Sequence, residues 1–143
     1  RLAREVSIRF AEAEMVYDCP EAGGRTLNAL QERGYRLGLL TNRENVDRFH
    51  ELLEQFDLHR YFALILSAGE VGVSKPNPGI FRAALERMEA SPEESLYVGD
   101  NYWADVLGAE AAGIRPVLLD PMGLFPEAEC MVLASIEELL VHL

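Results

Sequence analysis

Four polar residues stand where apolar stretches of this chain stop. Thr41 follows "LGLL", and Lys75 lies in "GEVGVSKPNPG" after "FALILSA". Asp100 follows "SLYVG", and Asp105 comes one helical turn later. A hydroxyl, an ammonium and a carboxylate pair can hold an anion and a cation side by side. Asp100 closes an apolar strand just after a glycine, and burying an unpaired carboxylate is costly unless a metal or another cation offsets it. Lys75 is the only lysine in a chain that otherwise uses arginine for positive charge. A compact ammonium donates in three directions and fits a crowded site better than a planar guanidinium.

Each of these residues also has a plainer reading. Thr41 and Asn42 are of the kind that caps a following helix. Asp105 could serve only to complement the positive end of its own helix. His50 and His59 have no partner spacing and read as surface or cap residues, and Tyr102 and Trp103 as packing or rim residues beside the acid pair.

The elements that must position these groups follow from periodicity. Apolar runs over residues 35–40, 62–68, 95–99 and 115–119 read as strands. Between them lie helical patterns: Leu27 and Leu30, with Gln31, ending at Gly34; residues 45–57 with Val46, Phe49, Leu52, Leu53 and Phe56 on one stripe; residues 77–88 with Pro78 near the start; and residues 102–113. Residues 135–143 read as a terminal helix. Strands alternating with helices indicate βαβ units and a parallel sheet. Strands that are apolar throughout indicate helices on both faces. In such sheets ligands bind at the carboxyl ends of the strands, which is where the four polar residues fall. At the start of the chain, Leu2, Val6, Phe10, Ala13 and Tyr17 recur at helical spacing, so residues 1–19 are expected to form a helical segment and residues 20–143 the α/β core.

Bulk properties narrow the function. The 143 residues suit one domain, and 49% hydrophobic content is that of a globular protein. A formal net charge of -11 and a pI near 4.7 argue against nucleic acid or an anionic membrane as partner. A phosphorylated ligand must then be caught by a local cluster of donors or by a cation. Cys19 and Cys130 follow no metal or redox spacing and read as free thiols of a reducing compartment. No apolar run approaches the ~18 residues of a membrane span and no leader peptide is visible, so a cytoplasmic protein is expected.

With these residues in place, the chain resembles the haloacid dehalogenase (HAD) superfamily of hydrolases. "LGLLTN" is similar to that family's second motif, "VGVSKPNPGIF" to its third and "LYVGDNYWAD" to its fourth. Their order and spacing agree from about Pro20 to Leu119. The resemblance implies a three-layer, Rossmann-like α/β core and a Mg²⁺-dependent phosphatase acting on a small phosphorylated metabolite. It assigns catalytic roles to Thr41, Lys75 and Asp105. Thr41, the backbone of Asn42 and Lys75 would contact phosphoryl oxygens, and Asp100 would bind Mg²⁺ with Asp105 as an auxiliary ligand. A phosphoacceptor receiver domain is set aside because there the acids precede Thr and Lys. A dinucleotide-binding domain is set aside because no G-x-G-x-x-G follows a strand.

The family's first motif, Asp-x-Asp-Gly-Thr, is not found in the 143 residues. Asp18 lacks the second Asp and the Gly-Thr turn, and reads as the junction where a helical cap returns to the core. The expectation is therefore a truncated or split core, lacking its first strand and most of its cap, with weak or no activity alone. A homodimer or a complementing chain would cover the open strand edges. The alternative is a module that binds phosphate and metal, or complements a partner, without chemistry.

Overall fold

The computed structural model describes residues 5–8 and 21–143, with side chains from residue 23 onward. Among the described residues, six parallel strands form one sheet in the order β3-β2-β1-β4-β5-β6. The strands are β1 Glu5–Ile8, β2 Arg36–Thr41, β3 Leu64–Ser67, β4 Ser95–Gly99, β5 Arg115–Leu119 and β6 Met131–Leu133. The helices are α1 Glu21–Glu32, α2 Val46–Gln55, the short α3 Ala68–Val71, α4 Pro78–Arg87, α5 Leu107–Ala111 and α6 Leu139–His142.

The first segment departs from the sequence reading. Residues 5–8 are a strand, not part of a helix, and they fill the central slot between β2 and β4. Val6 pairs with Leu37 on one side and with Leu96 on the other. "REVSIRF" fits helical and alternating periods equally well over so short a window, and pairing with two neighbours resolves the ambiguity. The expectation of an empty central slot is corrected accordingly. Most of the helix expected over residues 1–19, and Asp18 and Cys19 with it, lies outside the described residues.

Side chains alternate across the sheet. Leu37, Leu39, Leu96, Val98 and Val117 join Leu27, Leu30 and Leu139 in one core layer. Leu40, Leu66 and Tyr97 face the other way and pack with Ile80, Phe81, Ala84 and Ala109 in a second. Gly34 and Gly113 stop their helices at φ +88° and +79°, conformations that glycine adopts without strain. Pro78 opens α4, and Asn77 caps it by accepting from the backbone N–H of Gly79 at 2.8 Å. Gln31, read as part of the helical pattern, is exposed, and its amide donates to the carbonyl of Tyr61 at 3.0 Å.

Three local features depart from expectation. Ser67 ends β3 and caps α3: its hydroxyl accepts from the Glu70 N–H, and the Glu70 carboxylate accepts from the Ser67 N–H. This reciprocal pair follows from S-x-x-E in "SAGE", so a helical turn replaces the end of the expected strand and the start of the loop. The expected helix at Tyr102 begins as a wide π turn, Tyr102–Val106, before α5. The short β6 carried no signal, because only Leu133 of its three residues is buried. Cys130, just before it, is a half-buried free thiol. Burial, and then the charge of Glu110, push its pKa up from the ordinary value.

Candidate active site

The carboxyl ends of the strands lie at one edge, with Thr41 beside Ser67 and Gly99 beside Leu118. The strand order runs outward in opposite directions from β1 and β4, which creates the crevice where open α/β sheets take ligands. The strand-end residues converge on this edge.

Lys75 and Asp105 form its centre. Lys75 Nζ lies 2.8 Å from Asp105 Oδ1, and both side chains are closed to solvent. Lys75 Nζ also donates to the Tyr97 hydroxyl at 2.9 Å, and that hydroxyl donates to Asp105 Oδ1 at 3.3 Å. Asp105 Oδ2 accepts from the backbone N–H of Asn101 at 3.0 Å. Two unlike charges taken out of water are tolerable only when paired and hydrogen-bonded to this degree.

Local sequence explains how Asp105 reaches this place. The Asn101 side chain caps the wide turn by accepting from the Ala104 N–H at 2.9 Å, and the Asp105 N–H donates to the Asn101 carbonyl at 2.8 Å. The turn folds the carboxylate back against the end of β4. A Cβ at position 99 would stand 2.4 Å from Asp105 Cβ, Cγ and Oδ2, so only glycine fits before Asp100. Gly108 also permits a close approach, since a Cβ there would meet the Phe81 ring at 2.6 Å.

Asn42 ties the end of β2 to the lysine loop. Its side chain accepts from the Lys75 N–H at 2.8 Å and donates to the Lys75 carbonyl at 3.0 Å. Thr41 is buried, and its hydroxyl accepts from the Arg43 N–H at 3.2 Å. Neither caps α2; Asn45 does, accepting from the Arg48 N–H. Contacts thus link Thr41-Asn42, Lys75, Asp105 and Asn101 in one continuous set.

The two carboxylates exchange the environments expected of them. Asp100 is exposed, whereas Asp105 is the buried acid. The cost of burial expected at Asp100 falls on Asp105, and the cation that offsets it is Lys75. Among the described residues no three His, Cys, Asp or Glu side chains gather as a metal site. His59 is exposed and His50 half-buried, in line with a surface role.

Tyr102 and Trp103 rim this edge with a residue the sequence did not single out. The Phe125 ring stacks on Tyr102 at 5.3 Å, and Trp103 meets both rings edge-on while remaining 63% exposed. Asp120 holds the Phe125 loop, accepting from the N–H groups of Leu124 and Phe125 at 2.9 Å each. Sequence reasoning also missed Tyr97. Its signal was a hydroxyl between the apolar Leu96 and Val98 in β4, because a buried tyrosine needs a partner for its O–H.

Comparison with known proteins places the fold and the family of the chain. The family model of haloacid dehalogenase-like hydrolases matches residues 2–113. Phosphoserine phosphatase of Thermus thermophilus is 41% identical over 125 residues, covering 87% of this chain and 49% of that protein. Glyceraldehyde 3-phosphate phosphatase of Methanothermobacter thermautotrophicus is 38% identical over 95 residues, covering 66% and 42%. The chain thus spans about half the length of the curated relatives it matches. Among solved structures, a HAD phosphatase from Thermococcus onnurineus superposes with a TM-score of 0.79 at 28% identity, over 85% of this chain and 56% of that one. A 2-haloacid dehalogenase from Pseudomonas syringae superposes with a TM-score of 0.76 at 27% identity, over 87% and 52%. No helix among the described residues is long and apolar enough to cross a membrane. The chain belongs to the haloacid dehalogenase-like hydrolases.

Proposed function

We propose that this chain carries the phosphate- and cation-holding portion of a Mg²⁺-dependent phosphatase acting on a small phosphorylated metabolite. The observation that carries the reading is the buried Lys75–Asp105 pair at the carboxyl edge of the sheet. Phosphoryl transfer needs positioning and charge neutralisation more than covalent help from the protein. The Thr41 hydroxyl and the Asn42 N–H are the donors for phosphoryl oxygens, and Lys75 balances their charge. Phosphatases among the relatives support the choice of substrate class.

The donor set suits Mg²⁺, which takes one or two carboxylates and fills its remaining positions with phosphate oxygens and water. Asp100 is exposed and supplies the direct carboxylate. Asp105, which already accepts from Lys75 and Asn101, acts behind it as the auxiliary acid. Bound Mg²⁺ would neutralise charge on the phosphoryl oxygens.

No Asp-x-Asp-Gly-Thr occurs in the 143 residues, so this polypeptide by itself is expected to bind phosphate while turning over little p-nitrophenyl phosphate. Thermal unfolding with phosphate and Mg²⁺ tests binding. Saturation at one hundred times Kd corresponds to about 2.7 kcal/mol of stabilisation. Thr41→Val and Asp100→Asn should each remove most of it. A wild-type chain that gains no stability from millimolar phosphate and Mg²⁺ would sink the reading. Turnover abolished by Lys75→Ala would reveal a nucleophile within the chain.

A further inference from the structure

Tyr97 has no role in the proposed phosphate and metal binding, yet its hydroxyl stands inside the charged centre. Lys75 Nζ donates to it at 2.9 Å, it donates to Asp105 Oδ1 at 3.3 Å, and Lys75 donates to the same carboxylate oxygen at 2.8 Å. The three groups close a ring of hydrogen bonds. The tyrosine is 1% exposed, and its ring meets Phe81 edge-on at 4.9 Å among Leu40, Ile80 and Ala109. Packing alone would be served by phenylalanine, which fills the same ring volume without a hydroxyl to satisfy.

The hydroxyl therefore answers a need of the lysine. An ammonium on a flexible four-carbon stem carries three rotatable donors, and a single carboxylate defines only one of their directions. A second acceptor on another element, β4, defines a second direction and fixes the nitrogen in space. The hydroxyl can do this because it accepts from Lys75 and donates to Asp105 at once. We propose that Tyr97 is a positioning residue that aims the Lys75 ammonium toward the carboxyl edge of the sheet. This deepens, and rests on, the reading of Lys75 as the group that balances phosphoryl charge.

Lys75 being the sole lysine makes the test direct. In the full chain labelled with ¹⁵N-lysine, one side-chain ammonium signal reports the site. In the wild type it is expected to exchange hydrogen slowly and to shift on addition of inorganic phosphate with Mg²⁺. Tyr97→Phe should keep the amide spectrum of the folded chain, speed ammonium hydrogen exchange about tenfold and weaken phosphate binding about tenfold, the loss expected for one hydrogen bond to a charged group. Replacing Tyr97 by 3-fluorotyrosine retains the hydroxyl, so exchange should stay slow while the lysine signal shifts with the altered acceptor. If Tyr97→Phe leaves both exchange and affinity unchanged, the proposal is overturned. Should Tyr97→Phe fail to fold, an unmoved lysine signal in the fluorotyrosine protein overturns it instead. If phosphate leaves the wild-type lysine signal unmoved, the phosphate role of Lys75 falls, and the exchange data still decide whether Tyr97 holds it.

Discussion

Lys75 and Asp105 meet at 2.8 Å with no solvent access, whereas Arg48 and Glu51 meet at 3.0 Å with 61% and 65% of their side chains exposed. Similar distances have unlike consequences. Truncating one partner of a buried pair leaves a bare charge, so Asp105→Ala should lower unfolding free energy by about 3–5 kcal/mol. Glu51→Gln should change it by less than about 0.5 kcal/mol, because water already screens that pair. Urea denaturation of the two variants measures the contrast, and equal losses would mean that the other contacts of Lys75, among them Tyr97, suffice to hold its charge. Gly99→Ala belongs to the same scale: its new methyl meets Asp105 at 2.4 Å, and overpacking of this kind should cost about 1–3 kcal/mol in the same assay.

Elements are joined at the site by side-chain clamps. Asn42 bonds both the N–H and the carbonyl of Lys75, so the end of β2 and the loop before α4 move together. Asn42→Ala should raise hydrogen exchange of the Lys75 amide about tenfold, the effect of one lost hydrogen bond, and an unchanged NMR exchange rate would show that the loop holds itself. Much of the element pattern was legible. The strands at 36–41, 95–99 and 115–119 and the stops at Gly34 and Gly113 follow from apolar runs and turn residues. Three short elements were less legible. Glu5–Ile8 fits two periods, β6 buries one side chain, and α3 depends on the single contact pair Ser67–Glu70.

At the scale of the molecule, one parallel sheet separates two apolar layers. Leu30 lies in one and Ile80 in the other, both fully buried. Leu30→Ala should cost roughly 3 kcal/mol and Ile80→Val roughly 1 kcal/mol. Because the two layers share no side chains, the double variant should equal their sum within about 0.5 kcal/mol. A larger deviation in chemical denaturation would show that the sheet transmits strain between its faces. With Glu5–Ile8 in the central slot, the outer strands are β3 and β6. An association through strand edges left open at the centre of the sheet therefore loses its ground.

Sequence alone determined the class of the fold and the types of group at the carboxyl edge of its sheet. Periodicity reports which residues face a core, and a parallel sheet sends every strand end to one side. That is why Thr41, Lys75, Asp100 and Asp105 could be assembled from positions far apart in the chain. Tertiary structure decided which groups touch. Burial belongs to Asp105 and exposure to Asp100, because a glycine and a wide turn fold the later acid back under the strand. Tyr97 enters the centre because alternation along β4 turns it to the face that carries Lys75. Such pairings depend on distances between separate elements, and no local pattern encodes those distances.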